Sequence, residues 1–65
     1  MKIIVNGQPV ETQQASLAAL LEELGYGKTV VATAVNGDFT PVSRRAETEL
    51  KDGDQVEVLA PMQGG

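Results

Sequence analysis

Cysteine, histidine and tryptophan are absent from this 65-residue chain, and its aromatic side chains are limited to Tyr26 and Phe39. Without cysteine there is no disulfide, the usual reinforcement of small secreted domains, and no thiol nucleophile. Without histidine the chain also lacks the common general base near neutral pH and the soft donor set of a zinc site. A chain this short buries only about 60% of its unfolded surface, which leaves no room for a self-contained catalytic cleft. An enzyme is therefore not expected. One Tyr and one Phe give no platform for stacking bases, and five basic residues against nine acidic ones leave a net charge of -4. Because Lys2, Lys28, Arg44, Arg45 and Lys51 form no long cluster, nucleic acid is not an expected partner. The acidity fits partners with basic docking surfaces. No run approaches the roughly 20 apolar residues of a membrane span, and the opening MKIIVNGQPV is too briefly apolar for a signal peptide. A cytoplasmic protein with no membrane partner is expected.

The residues that are present alternate between two periodicities. Lys2 to Asn6 reads as a strand, with Ile3 and Val5 on one face and Ile4 on the other. Asn6-Gly7 is a strong hairpin signal, and Pro9 to Gln14 should return antiparallel, with Pro9 suited to an edge strand. Ser16 is a good N-cap, and Leu17, Leu20, Leu21 and Leu24 then repeat at helical spacing until Gly25, a suitable left-handed terminator. Thr29 to Asn36 is rich in β-branched residues and is predicted to be a central strand buried on both faces. Asn36-Gly37-Asp38 marks a second hairpin, followed by a short edge strand from Phe39 to Val42. Ser43 to Leu50 is polar and irregular, with Ser43 suited to cap a single turn and Leu50 expected in the core. After the Lys51-Asp52-Gly53-Asp54 turn, Gln55 to Ala60 alternates again, placing Val56 and Val58 inward and Leu59 outward. The paired aspartates do not amount to a calcium loop, since the remaining oxygen ligands are missing.

The sequence closes on Pro61-Met62-Gln63-Gly64-Gly65. A terminal carboxylate, with an ordinary pKa of about 3.3 to 3.7, is an anion at neutral pH and a poor electrophile. It reacts only after activation, most simply as an acyl-adenylate made with ATP. An adenylating enzyme must thread the tail until the last carbonyl carbon lies beside the α-phosphate. Glycine, having no Cβ, permits that approach. Gly65 is thus the candidate reactive group, and Gly64, Gln63, Met62 and Pro61 are the segment threaded behind it. The plain alternative is a frayed chain end with no chemistry.

The order β, β, α, β, β, β implies an α+β roll, a mixed sheet of about five strands packed on one amphipathic helix. It resembles the ubiquitin-like β-grasp fold, with residues 1–60 as the domain and 61–65 as a flexible tail. Val35-Asn36-Gly37, Pro41, Arg44, Leu50, Asp52-Gly53-Asp54 and Gln63-Gly64-Gly65 resemble one branch of it, the ThiS family of sulfur carriers in thiamine biosynthesis. The matching pieces span about half the chain.

The resemblance implies a carrier rather than an enzyme, with no cofactor bound to the carrier itself. An E1-like adenylating enzyme would use ATP and magnesium to activate Gly65. A sulfur donor, such as a cysteine desulfurase persulfide, would convert the adenylate to a thiocarboxylate, and thiazole synthase would accept the sulfur. Partner docking is expected on the outer sheet face, at Ile4, Leu59 and Phe39, with Met62 nearby; Phe39 could equally fill the core. A molybdopterin-synthase small subunit, a ubiquitin-like protein modifier and a non-reactive β-grasp interaction module share this outline and remain alternatives.

Overall fold

The computed structural model describes residues 1–60. Strand β1 (Lys2–Val5) turns into β2 (Gln8–Glu11), helix α1 spans Leu17–Glu23, and β3 (Ala32–Val35) turns into β4 (Asp38–Thr40). A 3₁₀ helix over Val42–Glu47 leads to the last strand, β5 (Gln55–Leu59). The strands form one mixed sheet in the order β2-β1-β5-β3-β4. Only the β1–β5 pair is parallel. The architecture is the expected β-grasp roll.

Asn6 and Asn36 have φ values of 50° and 52°, and Gly7 and Gly37 follow at 83° and 87°. Two successive left-handed residues give the type I′ turn, whose twist suits a tight hairpin. The helix starts where Ser16 Oγ accepts from the Ala19 N–H at 3.1 Å. It ends in a Schellman closure, with the Gly25 N–H donating to Glu22 O and the Tyr26 N–H to Leu21 O. Between these caps Leu17, Leu20 and Leu21 are buried against Ile3, Val5, Val56 and Val58 of the sheet, with Val31 and Leu50 closing the core.

Two sequence expectations are corrected. Thr29 to Asn36 is not the central strand and is not buried on both faces. Regular pairing begins only at Ala32, Thr33 faces the core, and Val30 and Ala32 are exposed. The central strand is β5, because β1 and β3 flank it. Their pairing joins residues far apart in the chain, which no local pattern announces. Val42 likewise begins the 3₁₀ helix instead of ending the preceding strand, and the residue at the cap position is Pro41, which makes no side-chain capping bond.

The asparagines of the two turns also complete the pairing of β5. On the parallel side, the Ile4 N–H donates to Asp54 O and the Asn6 N–H to Val56 O, both at 2.9 Å. The Asn6 side chain then supplies the next rung: its Oδ1 accepts from the Val58 N–H at 2.9 Å and its Nδ2 donates to Val58 O at 3.1 Å. On the antiparallel side, Asn36 Oδ1 accepts from the Gln55 N–H and Asn36 Nδ2 donates to Asp54 Oδ1, both at 3.0 Å. The two amides thus secure opposite ends of one strand from opposite sides.

Asn6→Gly tests this rung without disturbing the turn, since glycine accepts the positive φ. It should lower unfolding free energy by about 1–3 kcal/mol, the net worth of two hydrogen bonds. Asn6→Ala should cost roughly 1 kcal/mol more from left-handed strain. Urea denaturation measures both, and an Asn6→Gly variant as stable as the parent would refute the role assigned to the amide.

Candidate functional site

The site is built from the pleat of β5. Val56 and Val58 point into the core, so Gln55, Glu57 and Leu59 are forced onto the outer face. Glu57 pairs with Ala34 of β3, and Ala34 pairs with Phe39 of β4, making one row across three strands. One step further along, Leu59 pairs with Ala32. The small side chains of Ala32 and Ala34 leave Phe39 and Leu59 standing clear of the sheet, 71% and 67% exposed. Between them lies a shallow hollow of about 100 Å³ lined by Ala32, Thr33, Ala34, Phe39, Glu57 and Leu59. Val30, 79% exposed, extends the apolar surface beside Leu59 and Ala60. Scattered apolar residues on a surface need no explanation, but a contiguous group does.

The patch lies at the C-terminal end of β5. Residues Pro61, Met62, Gln63, Gly64 and Gly65 lie outside the described residues, so the expectations placed on them have no counterpart in this geometry. Of the three docking residues expected from the sequence, Phe39 and Leu59 come together, and Phe39 lies on the outer face rather than in the core. Ile4 shares that face but not the cluster. It is half-buried and pairs with Gln55 at the opposite end of β5, four residues from Leu59 and therefore about 13 Å away at 3.3 Å per residue.

Val30, Ala32 and Ala34 were not read as surface residues from the sequence. The alternation Val30-Val31-Ala32-Thr33-Ala34-Val35 carries the signal: every second position is small or exposed, while Val31 and Thr33 are buried. Thr33 disguises it, being a polar residue on the core side. Its hydroxyl donates to Thr40 O at 2.8 Å and accepts from Arg45 Nε at 3.0 Å. Arg45 also donates to Val31 O, so the 3₁₀ helix fastens β3 from beneath the patch. Among the described residues no group of His, Cys, Asp or Glu is placed to hold a metal ion, and no helix is long and apolar enough to cross a membrane.

A mixed sheet in this strand order, backed by one helix, defines a β-grasp domain, here with an apolar patch at the end of β5. The comparisons specify which one. The model of the ThiS family matches residues 3–65. The sulfur carrier protein ThiS of Thermus thermophilus is 38% identical over 61 residues, covering 94% of this chain and 95% of that one. A thiazole synthase of Paramagnetospirillum magneticum is 35% identical over 66 residues, and this chain spans 20% of its length. The crystal structure of a thiamine biosynthesis protein, ThiS, from Geobacter metallireducens superposes with a TM-score of 0.83 at 33% identity, each chain covered in full. The chain belongs to the ThiS family, the sulfur carriers of thiamine biosynthesis.

Because Phe39 and Leu59 project from the sheet and support no core contact, Phe39→Ser and Leu59→Asp should each change unfolding free energy by only about 0.5 kcal/mol, as ordinary surface substitutions do. Urea denaturation with circular dichroism checks this; a loss of several kcal/mol would place these side chains in the core after all.

Proposed function

We propose that the chain carries sulfur as a thiocarboxylate on Gly65 and presents it to partner enzymes docked on the Val30–Phe39–Leu59 patch. The observation that carries this reading is the position of the patch at the end of β5, one residue before the tail that ends in Gly-Gly, in a chain of the ThiS family.

In the first step a carboxylate oxygen of Gly65 attacks the α-phosphorus of ATP, held with magnesium in an E1-like adenylating enzyme, and pyrophosphate leaves. The terminal sulfur of a persulfide donor then attacks the acyl carbon, and AMP leaves. A thiol reduces the resulting acyl disulfide, freeing the thiocarboxylate and oxidising the thiol to a disulfide with the donor. Thiazole synthase takes the sulfur and the carboxylate is restored. ATP, magnesium and every catalytic side chain belong to the partners. The chain contributes a docking face and a tether, which makes each encounter of the tail with a buried centre effectively intramolecular. The relative called thiazole synthase supports that enzyme as the acceptor, since a segment alignable with this whole chain forms a fifth of its length. Dependence on ATP and the absence of cysteine suit the cytoplasm.

Leu59→Asp should abolish ATP-dependent pyrophosphate release by the adenylating enzyme while the variant stays folded, and deletion of Gly65 should abolish thiazole formation in a host that depends on this carrier. Normal pyrophosphate release from the first variant would remove the patch from the account. Undiminished thiazole formation with the second would remove the terminal acyl group.

A further inference from the structure

Among the described residues, Glu57 is the one charged side chain lining the outer-face hollow. Val56 and Val58 on either side are buried, so the pleat fixes Glu57 outward. Its neighbour across the strand is Ala34, and the hollow beside it is otherwise lined by Ala32, Thr33, Phe39 and Leu59. Among the described residues no lysine or arginine forms an ion pair with it; the one ion pair found joins the Met1 ammonium and Glu11. Among the described residues Lys2 is the only cation carried by a strand, and the β1–β5 register sets Ile4 against Gln55. That places Lys2 four residues, or about 13 Å, from the level of Glu57.

We infer that the partner surface meeting this patch carries a lysine or arginine side chain set within apolar surroundings and paired with Glu57. The inference rests on the patch being the docking face, as proposed above. An apolar partner closing over the hollow would strip water from an unpaired carboxylate, a penalty that contact with Phe39 and Leu59 does not offset. A matched cation removes the penalty and turns Glu57 into the residue that rejects surfaces lacking one. The small Ala32 and Ala34 leave open space over which a long cationic stem can lie to reach the carboxylate.

The test is the dissociation constant of the full chain for the adenylating enzyme of the same organism, at low and high salt, for the parent and for Glu57→Gln, Glu57→Leu and Glu57→Lys. Thermal unfolding of the free variants serves as the check on folding. Gln should weaken binding about tenfold and Lys about a hundredfold, while Leu, despite matching the apolar rim, should weaken it at least as much as Gln. The salt dependence of the parent should shrink in the Gln variant, because salt screens the pair being removed. Binding of Glu57→Leu as tight as the parent or tighter would show an apolar partner surface at this point and overturn the inference. Phe39→Ser separates the two readings. If it loses binding while every Glu57 variant binds like the parent, only the cation inference fails; if it binds normally, the docking face itself is misplaced.

Discussion

The structure depends on β5 being held from both sides. The strand lies between a parallel neighbour and an antiparallel one, and the amides of Asn6 and Asn36 extend that grip to its two ends. Everything else follows from its pleat. Val56 and Val58 complete the core under the leucines of α1, while Glu57 and Leu59 are presented outward at the end of the strand. A small domain has little core to spare, so the burial of both β5 valines counts for much of it. Were β5 to slip by one residue, its valines would face water and its glutamate the helix, so the register that builds the core also builds the patch.

In the proposed function this coupling joins recognition of the domain to delivery of its terminus. A sulfur carrier needs to be recognised and to deliver an acyl group at a reproducible distance. In the proposed function the outer face of the sheet serves the first need and the paired end of β5 the second. There, Phe39, Leu59 and Val30 at the end of β5 let one encounter satisfy both. The 3₁₀ helix contributes from below, where Arg45 bonds both Thr33 and Val31 and so steadies the strand on which Ala32 and Ala34 open the hollow.

Much of this was legible in the chain. The Asn-Gly pairs fixed the hairpins, because few residues other than asparagine and glycine accept consecutive positive φ values. Ser16, the leucine spacing and Gly25 fixed the helix for equally local reasons. The alternation of Gln55 to Leu59 placed Leu59 outward. Long-range pairing was not legible. Asn6 and Val58 are 52 residues apart, and nothing near either one shows that a turn side chain will stand in for a strand residue. The same blindness made Thr29 to Asn36 look central. Its β-branched density suggested burial on both faces, whereas half of those residues answer to the core and the others to the surface. Phe39 was ambiguous because its side depends on the pairing of Ala34 with β4. The terminal glycines pointed to an activated carboxylate through their missing side chains, and to sulfur only through a resemblance; the family match bears out the carrier family.

The most direct test of the central claim, that an inert body offers its last acyl group for others to charge, is the intact mass of the chain after incubation with its adenylating enzyme, magnesium-ATP and a persulfide donor. The account predicts a gain equal to one oxygen replaced by sulfur, confined to the peptide ending in Gly65 and absent when ATP is withheld. An unchanged mass under conditions where the enzyme is active on another ThiS-family carrier, or conjugates of higher mass joined to lysines, would contradict it.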